Sequence, residues 1–114
     1  PNPKGTFTVG GHGNPDVMVG ALHDPITPKQ MADRIKAHPS YTEGQHVVLM
    51  SCNTGNGTDP YAQKVANELG APVSGPDKYL WIWPNGKVQP AGMKEDRSMD
   101  TGDIGKWRTF TPKP

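Results

Sequence analysis

His46-Val47-Val48-Leu49-Met50-Ser51-Cys52-Asn53-Thr54-Gly55 is the stretch that decides how the rest of the chain reads. Its unbroken apolar run suits the central strand of a parallel sheet covered on both faces. The strand delivers Cys52 at its carboxyl end, and the loop Asn53-Thr54-Gly55-Asn56-Gly57-Thr58 follows at once. Beyond it, Asp59 reads as an N-cap and Pro60 as the first residue of a helix. Tyr61, Ala62, Val65, Ala66 and Leu69 share one face of that helix, and Gly70 is placed to end it. Pro72-Val73-Ser74 is a further short strand.

Upstream, Thr6-Phe7-Thr8-Val9 alternates polar and apolar residues as a first strand should. It runs into Gly10-Gly11-His12-Gly13-Asn14-Pro15, a glycine-rich sharp turn that carries His12. Thr27-Pro28-Lys29-Gln30 opens a helix with an N-cap Thr, Pro at the first helical position and Gln at the third to complete a capping box. Met31, Ala32 and Ile35 form its buried stripe, and Pro39 stops it near His38. Strand, helix, strand, helix, strand is the pattern of a parallel sheet with right-handed crossovers.

In the last third, Tyr79-Leu80-Trp81-Ile82-Trp83 and Lys87-Val88 flank Pro84-Asn85-Gly86, a strong hairpin signal. Residues Gln89 to Ile104 read as loop alone, and Trp107-Arg108-Thr109-Phe110 as an edge strand or a tail anchor. The expected fold class is α/β, a small and mostly parallel sheet with flanking helices plus a C-terminal β-hairpin. It forms one domain over residues 1–114, of which 1–5 read as a linker remnant.

A chain of 114 residues suits a single modest core. Hydrophobic residues are 32% of it, against 14 Gly and 13 Pro, so much of it is expected to be turn and loop. Twelve basic and 11 acidic side chains give a net charge of +1 with no Lys/Arg run, which disfavours nucleic acid as partner. No run of about 18 apolar residues offers a membrane span, and no charged start with an apolar core offers a signal peptide. Pro1 in place of Met reads as an excised piece or a trimmed product, with any targeting signal upstream. Cys52 is the single cysteine, which excludes an internal disulfide framework and a multi-cysteine zinc cage.

His12 and Cys52 both stand at carboxyl ends of strands, where open α/β sheets place their ligand sites. If those strands are neighbours, about 5 Å apart, imidazole and thiol can share one cleft. A thiol is mostly protonated at neutral pH, so an efficient Cys nucleophile needs an imidazole or another thiolate-stabilising feature. The main-chain N–H groups of Gly13 and Cys52 are candidate donors to an oxyanion. A strand-end Cys taken alone is more often a small buried hydrophobe; the His12 turn in the same sheet shifts the balance towards catalysis.

Other residues carry weaker signals. His38 can meet the C-terminus of its helix, His46 begins a strand, and His23-Asp24 sits in a loop. Asp16 or Asp24 are candidates to orient His12. A zinc site from His12, His23 and Cys52 has no paired-ligand spacing, so neither metal nor cofactor is expected. The loop Asn53 to Thr58 lacks the Gly-Lys-Ser/Thr ending of a phosphate-binding loop. Trp81 and Trp83 either pack together or line a substrate shelf. Asp77 and Lys78 are candidate walls of a specificity pocket.

Gly11-His12-Gly13 after a strand, followed by Val47-Val48-Leu49-Met50-Ser51-Cys52, resembles the caspase, gingipain, clostripain and separase superfamily of cysteine peptidases. Within it the Cys motif Leu49-Met50-Ser51-Cys52-Asn53-Thr54-Gly55 looks most like the CHAT branch, and the resemblance covers roughly residues 6 to 76. It implies Cys52 as nucleophile, His12 as general base and acid, an oxyanion site from the Gly13 and Cys52 N–H groups, and a protein or peptide substrate. At 114 residues the chain is short for this superfamily, so substrate-binding strands or an activation segment are expected to be missing.

The chain, with its ending Gly105-Lys106-Trp107-Arg108-Thr109-Phe110, is also similar to C-terminal cargo domains of bacterial polymorphic toxins of the Rhs and contact-dependent inhibition type. That implies an effector delivered into a target bacterial cell as part of a larger protein, acting in its cytoplasm and met by a cognate immunity protein. Rival readings are a deamidase or transglutaminase-like toxin using the same pair, a nuclease toxin in which His12 acts on a phosphodiester and Cys52 is structural, and a non-catalytic binding module.

Overall fold

The computed structural model describes residues 6–13, 18–19 and 25–113, with the main chain alone described for His12 and Val19. The expected linker, 1–5, lies outside the described residues. In chain order the elements are β1 (Thr6–Gly10), β2 (His12–Gly13), β3 (Met18–Val19), β4 (Pro25–Ile26), α1 (Pro28–Ala37), β5 (His46–Met50), α2 (Tyr61–Leu69), β6 (Val73–Pro76), β7 (Tyr79–Ile82), β8 (Val88–Met93), β9 (Met99–Ile104) and β10 (Trp107–Phe110). The architecture is α/β, with two helices and three small sheets among the described residues.

The main sheet has the order β1-β5-β6-β10. β1, β5 and β6 run parallel, joined through α1 and α2, and β10 closes the edge of β6 antiparallel to it. Trp107–Phe110 is thus an edge strand, one of the two readings that its residues left open. A meander β2-β3-β4 grows from the end of β1, and β7-β8-β9 forms a separate antiparallel sheet. His12 therefore occupies a two-residue strand, paired with Val19, and not an open turn.

Both helices form where their capping residues dictate. The Thr27 side chain accepts from Gln30 N–H at 3.1 Å, and the Gln30 side chain accepts from Thr27 N–H at 2.9 Å. This reciprocal pair satisfies two of the donors that a helix start leaves unpaired. α2 departs from expectation by one residue: Pro60 is its N-cap, no side chain caps it, and Asp59 is exposed. Its first-turn N–H groups find the loop instead, with Ala62 N–H donating to Thr54 O at 2.9 Å. Gly70 ends it in the left-handed conformation (φ 77°).

Val47, Leu49 and Val73 of the sheet pack with Met31, Ala32, Ile35, Tyr61, Ala62, Val65 and Ala66 of the helices in one core. The two helices lie against each other, and Lys36 Nζ donates to Glu68 O at 3.1 Å. One face of β5 is therefore fully covered and the other only in part: Val47 and Leu49 are buried, whereas Val48 and Met50 are half-buried. The expectation of a strand buried on both faces is corrected to this extent. The half-open face carries a polar row, His46 Nε2 to Ser74 Oγ at 2.6 Å and Ser74 Oγ to Thr109 Oγ1 at 2.7 Å. His46 is engaged there, across the sheet.

A second correction concerns residues 89–104. They are not loop; they supply most of β8 and all of β9, so the expected hairpin is the first half of a three-stranded sheet. The β7–β8 turn over Pro84-Asn85-Gly86 forms as predicted, with Trp83 N–H donating to Lys87 O at 2.8 Å. The β8–β9 turn is closed by Lys94 N–H to Ser98 O at 2.9 Å. Within that turn Ser98 donates to the Asp96 carboxylate from its hydroxyl at 2.6 Å and from its main chain at 3.0 Å. These bonds favour the charged form and lower the pKa of the Asp96 carboxyl.

Candidate active site

β1 and β5 are hydrogen-bonded neighbours in parallel register, Gly10 opposite Met50. His12 and Cys52 each stand two residues beyond that pair, at the same end of the sheet. Gly11 N–H donates to Met50 O at 3.3 Å, which carries the contact past the strand ends. One residue further, a Cβ placed on Gly13 would lie 2.8 Å from Thr54 Cγ2 and 3.3 Å from Cys52 O. The main chain of residue 13 thus rests against the Cys52 loop, and only a glycine fits there without displacing Thr54. The His12 imidazole lies outside the described atoms, as do His23, Asp16 and Asp24.

The loop after Cys52 is held by main-chain bonds together with the side chains of Ser51, Thr54 and Arg108. Asn53 takes a left-handed conformation (φ 60°), which few residues other than Gly and Asn adopt readily, and so turns the chain sharply just past the cysteine. Its N–H donates to Lys78 O at 2.9 Å, and Gly55 N–H donates to Pro76 O at 2.8 Å. Thr54 is fully buried and shares a hydrogen bond with Ser51 at 3.1 Å. Gly55 crosses β6 so closely that a Cβ on it would lie 2.2 Å from Gly75 O. From the far side, Arg108 of β10 donates to Gly55 O at 2.9 Å and Gly57 O at 2.6 Å.

Cys52 is a free cysteine, half-buried, and its Sγ accepts a hydrogen bond from Leu80 N–H at 3.4 Å. The weaker site candidates surround it unevenly. Lys78 borders the Cys52 loop through its carbonyl, while its ammonium pairs with Asp103 at 3.2 Å. The Asp77 carboxylate accepts from Lys106 N–H at 2.8 Å and ties the start of β10 to the end of β6. The Trp81 indole donates to Ala91 O at 3.0 Å, and Trp83 lies under Lys87 with the ammonium 5.6 Å from its ring. Sequence reasoning missed Leu80, Arg108 and the Gly55–Gly75 crossing. Of these, the Leu80 amide had a signal in the register of the hairpin.

Among the described residues no group of three His, Cys, Asp or Glu side chains could hold a metal ion. No helix there is long and apolar enough to cross a membrane. His38 ends α1, with its Nδ1 accepting from Ser40 N–H at 3.1 Å and its ring edge-on to Phe7. An open cavity of about 460 Å³ lined by Lys36, Tyr41, Glu43 and Leu69 lies at the amino-terminal end of the parallel strands, opposite to Cys52.

Comparison with known proteins gives two matches. The chain is 43% identical over 61 residues to the uncharacterized protein YibJ of Escherichia coli (strain K12). That alignment covers 54% of this chain and 26% of the relative, so the chain spans about a quarter of that protein. No solved structure matches. The other match is a family model covering residues 1–90, from β1 through the Cys52 loop to the start of β8, and on that match the chain belongs to the family described as Domain of unknown function (DUF8616).

Proposed function

We propose that this domain is a caspase-like cysteine peptidase that cleaves a protein substrate through Cys52 and His12. The observation that carries the reading is the register of β1 and β5, which brings the Gly11-His12-Gly13 main chain against the Cys52 loop. In the proposed reaction His12 takes the thiol proton as Cys52 Sγ attacks the scissile carbonyl. The N–H groups of Gly13 and Cys52 receive the negative charge that develops on the carbonyl oxygen. Collapse of this intermediate breaks the C–N bond, His12 returns the proton to the leaving amine, and water then hydrolyses the thioester. No cofactor enters the scheme. In the wider proposal the domain is the effector part of a larger bacterial toxin, working in the target cytoplasm and neutralised by an immunity protein seated over the Cys52 cleft.

The test is expression of wild type, Cys52→Ala and His12→Ala in bacterial cells, with folding followed by circular dichroism and new protein termini by mass spectrometry. Toxicity and new termini are expected from the wild type alone, with turnover by Cys52→Ala down about a thousandfold or more. A toxic Cys52→Ala overturns the nucleophile and favours nuclease chemistry at His12. Toxicity that needs Cys52 but yields no new termini replaces cleavage with side-chain deamidation.

A further inference from the structure

The register of the C-terminal sheet leaves one main-chain donor aimed at the cysteine. Trp83 N–H donates to Lys87 O, which makes 83 and 87 a hydrogen-bonded pair. Antiparallel alternation then makes 81/89 and 79/91 bonded pairs, and 82/88 and 80/90 non-bonded ones whose N–H groups point away from each other. Pro90, which has no N–H, stands opposite Leu80, where the β7–β8 ladder requires none. Leu80 N–H therefore leaves the sheet edge, and its acceptor is Cys52 Sγ. Two residues earlier Lys78 O receives Asn53 N–H, so the start of β7 grips the cysteine and the residue after it together.

A neutral thiol is a weak acceptor, whereas a thiolate makes charge-assisted hydrogen bonds to N–H donors. We infer that the main-chain N–H of Leu80 is a catalytic donor that holds Cys52 as the attacking thiolate, so that β7 completes the nucleophile that β5 delivers. The inference rests on reading Cys52 as the nucleophile. It assigns the C-terminal sheet a part in the chemistry through a backbone atom, which the side chain at position 80 does not supply.

The experiment replaces the amide before Leu80 by an ester, with leucic acid at position 80 of the full chain assembled by ligation. Cys52 is the sole cysteine, so its alkylation by iodoacetamide is followed directly from about pH 5 to about pH 10. The ester is expected to slow alkylation at neutral pH by about tenfold or more, with the gap closing in alkali where the sulfur ionises unaided. Leu80→Ala, which keeps the amide, and an ester at Ile82, whose N–H also points outward, are expected to leave the profile in place. An unchanged profile in the Leu80 ester overturns the inference, as does a slowing equal at every pH or shared by the Ile82 ester.

A measurement on the unaltered chain decides the matter even if the ester chain does not fold. The Leu80 amide proton resonance is expected to shift as Cys52 titrates, and to lose that shift in Cys52→Ser; a resonance indifferent to the titration overturns the donor. Alkylation needs no protein substrate, so the two proposals fail separately. A chain that cleaves nothing yet shows the ester effect loses the peptidase and keeps the donor.

Discussion

The Cys52 loop and the sheet β7-β8-β9 are both glycine-bearing, yet they are built in opposite ways. Residues 51–57 are locked between β6, β10 and α2: Thr54 is fully buried, Gly55 touches Gly75, and Arg108 holds two carbonyls. The C-terminal sheet stands outward, with Ile82 63% and Ile104 54% exposed, and its bonds run mainly within itself. Rigidity in the first comes from close main-chain crossings; order in the second comes from ladder hydrogen bonds and turns. A site that must hold a sulfur to within a fraction of an ångström belongs on the first kind of support.

The largest test of this contrast is Gly55→Ala. Its Cβ would meet Gly75 O, a backbone atom that cannot swing aside, so a loss of about 3 kcal/mol or more is expected in chemical denaturation. A variant of near wild-type stability would mean that the loop is far looser than its crossings indicate. Next comes Tyr61→Phe, which leaves Ile26 O without the 2.8 Å bond from the phenol and should cost about 1–2 kcal/mol. Burial raises the Tyr61 pKa, with the Arg34 charge acting weakly the other way. The folded chain thus keeps a proton that the unfolded chain releases above about pH 10, and stability falls as pH rises beyond that point. In melts at increasing pH, Tyr61→Phe should show a shallower alkaline decline; an identical one would remove Tyr61 as its source.

The smallest effect is expected on the outer sheet. Ile104→Ser removes an exposed apolar side chain and should shift stability by no more than about 0.5 kcal/mol. A loss several times larger would show that this face is covered in solution.

What could be read from residues alone follows the same division. Both helices, their buried faces and every helix end but the start of α2 were legible, because Thr27-Pro28 with Gln30 and the terminal Gly70 act on main-chain groups within one turn. The parallel strands were legible as β-forming runs. Missed were most of β8 and all of β9, where Pro90, Gly92 and Gly102 interrupt the alternation and ladder pairing outweighs propensity. The one-sided cover of β5 was missed as well, since an apolar run does not say on which faces helices will settle.

By itself the sequence determined the helices, the placing of Cys52 just past a strand end, and the turn at Asn85-Gly86. Only the tertiary structure decided that β1 lies next to β5, that the Gly13 main chain meets Cys52, and that the amide freed at Leu80 points at its sulfur. Caps and turns are settled by neighbours a few bonds away. These contacts join residues 28 or more positions apart, and they exist only once the whole core has set the distance between strands.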